Sequence, residues 1–265
     1  MPVSPTENLA VNMAKKIWQI YLSNSPNKLP PILEKATSTI KRYFKGYQHN
    51  LLREDDLRDF IFRKFSKEVL WAYDTLIPLA YKCDLGRYCL LHQYGGWYFD
   101  ISVVCKNYIE IEEQIDMLIF RDDLRHSRTS WAVSNGIIWS KPKNGILENA
   151  INDVVRNCKE KWYGENPLYP TGPVLFGECI AKSSRNLNII YGDLICPKVP
   201  FTKKGIPFLK SLFRGRFVLP NGRTLALLKK SHGGDLLRLG GQGTNNYNHI
   251  WEKKEVYKSI DFRNY

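Results

Sequence analysis

The chain has 265 residues, 43% of them apolar and 13% aromatic, which suffices for one substantial packed domain and excludes global disorder. No stretch approaches about 18 consecutive apolar residues and the first residues lack a secretory-signal pattern, so neither a membrane-spanning helix nor export is expected. The six cysteines include no C-x-x-C pair, which argues against the common zinc and redox motifs.

The predicted elements alternate between strands and helices. Residues 15–22 alternate like a first strand, helical spacing covers 54–75 and 77–93, and a strand follows at 97–104 after a double glycine. Later elements are strands at 117–120 and 136–139, an amphipathic helix over 146–158, and a helix start at Thr171-Gly172-Pro173. This order predicts an α/β fold with a mostly parallel sheet and helices on both faces.

Positive charge is concentrated near the C-terminus. Of a net charge of +13, nine Lys or Arg residues fall between residues 198 and 230, where there is no Asp or Glu. Apolar residues interrupt this stretch at Phe201, Phe208, Leu209, Leu212, Phe213 and Phe217. The pattern favours an anionic membrane interface over a nucleic-acid duplex, and a solvated loop face is the alternative. We therefore divide the chain into a core, residues 1–197, and a basic segment, residues 198–265, that closes the site and contacts acceptor or membrane.

The densest group of functional residue types lies between residues 80 and 104. Asp84 and Arg87 share one helix face, because residues three apart are neighbours on a helix. Tyr98, Asp100 and Ser102 alternate along the following strand and share one of its faces. A carboxylate near the carboxyl end of a strand is placed where ligands bind in open α/β sheets, and it can hold a divalent ion or sugar hydroxyls. A plain ion pair between Asp84 and Arg87 is the alternative.

The residues Asp84, Arg87, Tyr88, Leu91, Tyr94, Gly95, Gly96, Tyr98 and Asp100 form the pattern D-x-x-R-Y-x-x-L-x-x-Y-G-G-x-Y-x-D. This pattern resembles the sugar-binding region of DXD glycosyltransferases. More narrowly, it is similar to the family of yeast α-1,6-mannosyltransferases, bacterial capsule and lipopolysaccharide transferases and glucosylating clostridial toxins. Weaker similarity extends from about residue 15 to 251, through K-I-W-Q-I-Y-L, Ser134-Asn135-Gly136, Thr171-Gly172-Pro173 and Asn248-His249-Ile250-Trp251.

The resemblance implies a GT-A, Rossmann-type fold that binds a nucleoside diphosphate sugar and transfers the sugar with retention. It assigns catalytic positions to Asp84, Arg87 and Asp100. Tyr21 would stack on the nucleobase, and the other donor-binding positions would be Tyr88, Gly95, Gly96, Tyr98, Asn135 and Trp251.

The resemblance also implies a Mn²⁺ or Mg²⁺ cofactor held by Asp100, Ser102 and His249. Ser102 stands where the family usually places its principal metal-binding carboxylate, and a hydroxyl is a weaker ligand for a hard cation. Three alternatives follow. Asp100, His249 and the diphosphate hold the ion, metal dependence is weak because basic C-terminal residues neutralise the diphosphate, or the protein binds donor without turning it over.

The resulting hypothesis is a hexosyltransferase-type glycosyltransferase of surface polysaccharide biosynthesis, meaning capsule or lipopolysaccharide O-antigen. Its donor would be a UDP-sugar in preference to a GDP-sugar, and its acceptor a glycan or lipid-linked glycan. It would be cytoplasmic and peripheral on the inner face of a bacterial membrane, with no nucleic-acid partner. The alternatives are a non-catalytic nucleotide-sugar or polysaccharide-binding protein, a basic nucleic-acid-binding module, and a toxin-like transferase.

Overall fold

The computed structural model describes residues 15–24, 28–196, 213–229 and 233–265. These residues form a nine-stranded sheet in the order β2-β1-β3-β6-β5-β7-β8-β9-β4. Its strands are β1 (Lys16–Ile20), β2 (Gln48–Leu52), β3 (Gly96–Phe99), β4 (Val103–Cys105), β5 (Met117–Arg121), β6 (Val133–Ser140), β7 (Ile189–Ile195), β8 (Phe213–Val218) and β9 (Thr224–Lys229).

Helices connect most of the strands. They are α1 (Pro31–Tyr43), α2 (Glu54–Lys64), α3 (Lys67–Thr75), α4 (Leu79–Tyr94), the short α5 (Leu124–Ser127), α6 (Gly145–Glu160), α7 (Pro173–Ser183) and the short α8 (Tyr247–Glu252). In the described part of the chain, no helix combines the length and apolar character needed to cross a membrane.

Strand pairing is parallel between β2, β1 and β3 and between β5 and β7, and the remaining neighbours pair antiparallel. Helices α1 and α4 carry the chain between parallel strands, as such crossovers require. The α/β class predicted from the sequence is confirmed.

Two hydrophobic clusters cover the two faces of the sheet. Helices α2, α3, α4, α6 and α7 pack on one face, against residues such as Trp18 and Tyr98. Helix α1 packs on the other face, where Trp97 and Phe99 lie beside residues of the last strands. The predicted alternation between Trp97, Tyr98 and Phe99 is therefore present, and both of its faces are buried.

The predicted strand at 97–104 is wrong at residues 100–102, because the chain turns there. The carbonyl of Asp100 accepts a hydrogen bond from the Val103 amide at 3.0 Å, which closes the turn. The chain then forms β4, which pairs with β9 at the far end of the strand order. The sheet therefore curls until its last strand comes back to the end of β3.

The predicted helix at 54–75 is two helices. Phe65 and Ser66 adopt extended backbone conformations, with ψ values of 171° and 161°, and these end α2 and precede α3. The predicted strands at 117–120 and 136–139 and the helix beginning near Pro173 are all present, with small differences at their ends.

Residues 213–229 of the basic segment form the β8–β9 hairpin and extend the sheet. Phe217 was predicted to contact an external surface, but it is fully buried, with its ring 5.1 Å from that of Phe120. That expectation is wrong because strand alternation turns Phe217 inward. Phe201, Phe208, Leu209, Leu212 and most of the basic residues lie outside the described residues.

Candidate functional site

A cavity of about 470 Å³ opens at the carboxyl ends of β1 and β3. The sheet ends, the first turns of α4 and the segment before α7 supply most of its wall, and residues near α8 and on either side of α5 supply the rest. It brings together many of the residues predicted from the sequence, namely Tyr21, Asp84, Arg87, Tyr98, Asp100, Ser102 and Asn135.

Arg87 forms the centre of the cavity floor, a name we use for Asp84, Arg87 and Asp100. Its Nη2 lies 3.2 Å from Asp84 Oδ1, and its Nη1 lies 3.1 Å from Asp100 Oδ1. The guanidinium also donates to the carbonyl oxygens of Cys83 and Asn135. Its carbon lies 4.5 Å from the centre of the Tyr98 ring, within the range of a cation–π contact. The two aspartates, sixteen positions apart in sequence, are thus joined by one buried cation.

Burial and charge act in opposite directions on the protonation of this floor. Burial alone would lower the pKa of Arg87, but the surrounding Tyr98, Asp100 and Asp84 raise it well above its ordinary value. Burial raises the pKa of Asp84 to about 6, although Arg87 and hydrogen bonds from Asn135 and Thr171 lower it. Arg87 is therefore a fixed positive charge, while Asp84 changes its charge near neutral pH.

Hydrogen bonds from β6 and from the start of α7 position Asp84. The amide nitrogen of Asn135 donates to Asp84 Oδ1 at 3.1 Å, and the Thr171 hydroxyl donates to Oδ2 at 2.8 Å. The Asn135 amide also donates to the Tyr88 hydroxyl at 2.7 Å, and that hydroxyl donates to the Thr171 carbonyl at 2.9 Å. Tyr88 is fully buried, so its hydroxyl contacts this network and not the cavity.

Asp100 follows the last residue of β3 and is less buried than Asp84. Its Oδ1 accepts a 3.0 Å hydrogen bond from the Tyr98 hydroxyl as well as the ion pair from Arg87. Gly136 lies beside the other oxygen, and a Cβ at that position would approach Oδ2 to 3.2 Å. The small residue at 136 therefore leaves room around the carboxylate oxygen that Arg87 and Tyr98 do not use.

Gly95 and Gly96 are not brought to the cavity, since they lie at the opposite end of β3. Both have positive φ angles, 65° and 94°, which favour glycine. A Cβ on Gly95 would approach Pro142 Cδ to 2.7 Å, and one on Gly96 would approach the Lys16 carbonyl oxygen to 2.5 Å. These glycines allow the tight connection between α4 and β3.

Trp251 and His249 also lie outside the cavity lining. The indole nitrogen of Trp251 donates to the Tyr163 carbonyl at 2.8 Å, and Lys254 covers its ring at 4.3 Å. The His249 side chain is 70% exposed and its Nδ1 lies 3.6 Å from Glu252 Oε2. In this structure, therefore, these residues hold α8 in place and meet solvent.

Tyr21 lines the cavity but is almost fully buried. The Arg53 guanidinium lies 4.7 Å from the centre of its ring and covers one face. Apolar residues including Leu29 and Leu33 pack in the same cluster. Stacking of a nucleobase on Tyr21 stays a prediction.

Three residues near the site were missed as site residues by the sequence analysis. The sequence places Thr171 at a helix start and in a segment of weaker family similarity, but does not predict that its hydroxyl binds Asp84. Tyr247 and Asn248 line the cavity from a segment that we call the C-terminal rim, residues 244–252. The adjacent Asn248-His249-Ile250-Trp251 similarity indicated this segment but not which of its side chains face the cavity.

The residues present fit a divalent cation in part. Among the described residues, the hydrogen bond from Tyr98 and the ion pair with Arg87 both use Oδ1 of Asp100 and leave its Oδ2, and Ser102 lines the same cavity. No group of three His, Cys, Asp or Glu side chains suited to a metal ion occurs among the described residues. Mg²⁺ sites commonly combine one or two carboxylates with substrate phosphates, so this arrangement suits an ion that arrives with a diphosphate.

The fold and this floor define a class of protein. The solved structure of the PaToxG glycosyltransferase superposes with a TM-score of 0.51 at 17% identity, covering 67% of this chain and 75% of that one. This likeness shows the fold, and together with the sequence relatives given next it makes the present chain a glycosyltransferase of the GT-A type.

The family follows from sequence comparison. The model of the family described as capsular polysaccharide synthesis protein matches residues 3–164, more than half of the chain, and the chain belongs to this family. An uncharacterized glycosyltransferase of Acanthamoeba polyphaga mimivirus is 24% identical over 203 residues, which are 74% of this chain and 77% of the relative. A mannosyl phosphorylinositol ceramide synthase of Saccharomyces cerevisiae is 23% identical over 158 residues, 54% of this chain but only 39% of that protein.

Proposed function

We propose that this protein transfers a sugar, with retention, from a nucleoside diphosphate sugar to a glycan or lipid-linked glycan during surface polysaccharide synthesis. A UDP-sugar is favoured as donor over a GDP-sugar. The observation that carries the proposal is the floor itself, where buried Arg87 bridges Asp84 and Asp100 at the end of a sheet. The membership of a capsular polysaccharide synthesis family supports the choice of pathway.

The two carboxylates suit the recognition of sugar hydroxyls. An ionised carboxylate only accepts hydrogen bonds, and hydroxyl groups of a sugar or ribose donate them. Side chains of the protein already donate hydrogen bonds to the carboxylates of Asp84 and Asp100, and these bonds fix how the carboxylates are oriented in the cavity. Because Arg87 is positioned before the donor arrives, its charge can stabilise a diphosphate leaving group without reorganisation.

The charge of the cavity indicates what must accompany the diphosphate. The described lining contains three carboxylates, Asp84, Asp100 and Asp122, and two guanidiniums, Arg87 and Arg128. An anionic diphosphate therefore needs further positive charge. A Mn²⁺ or Mg²⁺ ion held by Asp100, with Ser102 beside it, would supply that charge to the leaving group. The Lys and Arg residues between 198 and 230 are the alternative source.

The basic segment supports a proposal for the acceptor and the location. Its stretch from residue 198 to residue 230 contains nine Lys or Arg and no acidic residue, which suits phosphorylated lipid headgroups or an acidic glycan. We therefore propose a peripheral position on the inner face of a bacterial membrane, where a lipid-linked glycan is available.

The test measures nucleoside diphosphate release from a panel of UDP- and GDP-sugars, with Mn²⁺, with Mg²⁺ and with a chelator. Asp100→Asn is the test variant. Asp116→Asn is the matched control, because Asp116 pairs with Lys141 at the opposite end of the sheet. We expect release from one donor class, a loss of about two orders of magnitude in Asp100→Asn, and wild-type rates in the control.

The outcomes separate the parts of the proposal. Release that is unaffected by the chelator assigns charge neutralisation to basic residues. Loss of release in both variants would mean that Asp100 has no special role. If no donor is either turned over or bound in calorimetry, the proposed donor class is wrong.

A further inference from the structure

Gln19 is a buried polar residue whose presence the packing of the sheet does not explain. It lies in the middle of β1 and is fully buried, and its strand neighbours Trp18 and Ile20 belong to the hydrophobic core. Burying an amide without hydrogen bonds is unfavourable, and an apolar side chain of the same size would fill the space equally well. The reason for a glutamine must therefore lie in the groups that it binds.

Both ends of the Gln19 amide are used. Its Nε2 donates to the main-chain carbonyl of Asp100 at 3.3 Å, and its Oε1 lies 2.8 Å from His49 Nε2. Since the amide nitrogen faces Asp100, the amide oxygen faces the imidazole and accepts its N–H. One side chain thus links β2, where His49 lies, to the residue that follows β3.

The contact falls where the regular pairing of strands stops. The last paired residues of β1 and β3 are Trp18 and Tyr98. Beyond them, the Asp100 amide donates to the Gly136 carbonyl on β6 at 2.8 Å, and the Asp100 carbonyl receives Gln19 and the Val103 amide. The Gln19 side chain therefore substitutes for a missing backbone partner and holds the turn at residues 100–102 from the β1 side.

His49 is suited to fixing the amide rather than to carrying charge. Burial, and then the nearby Lys41, lower the pKa of His49 to about 4. The imidazole is therefore neutral at physiological pH, and one of its nitrogens carries a proton that it can donate to Gln19 Oε1. A neutral donor at this place keeps the amide from reversing its orientation.

We propose that Gln19, oriented by His49, is a positioning residue for the transfer reaction. It extends the β1–β3 ladder by one side-chain hydrogen bond and so fixes the Asp100 turn. The Asp100 carboxylate is thereby held against Arg87 and Tyr98. The kinetic part of this inference rests on the proposed function, whereas the part that concerns the turn does not.

The test variant is Gln19→Met, which keeps a long unbranched side chain and removes both hydrogen bonds. Asn50→Leu is the matched control, because Asn50 lies on the neighbouring β2 and its amide donates to the carbonyls of Ile17 and Gln48 and, within the described residues, does not reach the Asp100 turn. Hydrogen–deuterium exchange of residues 97–106 reports on the turn. Nucleotide release from the donor that the wild type uses reports on the reaction, and His49→Phe tests the orientation of the amide.

We expect Gln19→Met to accelerate exchange severalfold at residues 100–103 and to reduce kcat/KM about fivefold or more, on the scale of a lost hydrogen bond. Asn50→Leu should change neither, and His49→Phe should produce a smaller change of the same kind. Unchanged exchange in Gln19→Met would overturn the inference whatever the rate. Faster exchange with an unchanged rate would overturn the positioning role. If the wild type releases no nucleotide from any donor, the proposed function fails, and exchange still decides whether Gln19 holds the turn.

Discussion

The cavity floor and the C-terminal rim line the same cavity but are held in different ways. The floor aspartates and Arg87 are connected to β3, β6 and the start of α7 by ion pairs and hydrogen bonds between side chains that are mostly buried. The rim is held by turn contacts, such as Asn246 capping α8 and Asn245 binding the Leu79 amide at 3.0 Å. Burial and charge thus fix the floor, whereas caps and side-chain hydrogen bonds to the main chain fix the rim.

Replacing Arg87, the cation of the floor, should give the largest effect and so tests this contrast most directly. Arg87→Met leaves Asp84 and Asp100 near each other without their shared partner. We expect the free energy of unfolding to fall by about 3–5 kcal/mol, the usual effect of breaking a buried ion pair, and nucleotide release to be lost. Denaturant unfolding and a release assay measure both effects.

The control for this variant is Arg58→Met. Arg58 also pairs with an aspartate, Asp74, but its side chain is 46% exposed. Exposed pairs contribute about 1 kcal/mol or less. Equal losses in the two variants would contradict the view that the floor is an electrostatically coupled unit.

A second experiment uses the titration of Asp84. Its pKa in the folded state, about 6, lies above the ordinary value of 3.8. The folded protein therefore binds this proton more tightly than the unfolded chain, so the contribution to stability is complete below about pH 4 and is lost as pH rises through 6. Relative to Asp84→Asn, the wild type should lose roughly 2 kcal/mol of unfolding free energy between pH 4 and pH 7. A difference that is constant over this range would show that Asp84 does not titrate as inferred.

The ionisation of Asp84 should also appear in the pH dependence of the reaction. If the ionised Asp84 accepts hydroxyl groups of the donor, kcat/KM falls as pH decreases through about 6. Measurement of the pH profile with a saturating and a limiting donor concentration checks whether the effect is on donor capture.

The hydrogen bond from Thr171 offers a smaller and well-matched test. Thr171→Val removes the hydroxyl that donates to Asp84 Oδ2 and keeps the shape of the side chain. We expect the free energy of unfolding to fall by about 1–2 kcal/mol. The Asp84 titration should also shift to higher pH, because the variant lacks a hydrogen bond that favours the ionised carboxylate. Thr75→Val is the control, since the buried Thr75 hydroxyl has no hydrogen-bond partner within the described residues. A similar loss in both variants would assign the effect to packing.

The smallest expected effects are those at the rim. Asn248 lines the cavity, whereas His249 is exposed beside Glu252. Asn248→Ala should raise the donor KM a few-fold, about the effect of one neutral hydrogen bond, while His249→Ala should leave it unchanged. Steady-state measurements of the donor KM of both variants, with and without Mn²⁺, check these two expectations. A large, metal-dependent effect at His249 would instead support the role that family resemblance gave it.

The sequence predicted the floor better than the rest of the site because the floor is local. Asp84 and Arg87 share one helix face, and Asp100 follows a short strand that begins at once after that helix. The helix period and the strand end therefore determine their approach to one another. Thr171, in contrast, joins Asp84 from a segment 87 positions away, and no spacing in the sequence links the two.

The fold was predicted with similar limits. Helix and strand periodicity identified most elements of the core, but not the turn at residues 100–102, because Ile101 and Val103 continue the apolar alternation of β3 in sequence. The turn is set by tertiary contacts with Gly136 and Gln19. The inward direction of Phe217 likewise depends on the pairing of β8 with β7 and β9.

The step from β3 to β4 also has a consequence for how the molecule is made. Residues 100–102 alone connect β3 to a strand whose pairing partner, β9, is synthesised much later, with Val103 opposite Leu228. Contacts between such distant parts of a chain are slow to form. During translation, the turn that carries Asp100 cannot gain this anchor until Leu228 has left the ribosome. Gln19 and Gly136, which also hold this turn, are synthesised well before Leu228, so the turn has two of its tertiary contacts available before β4 has its partner strand.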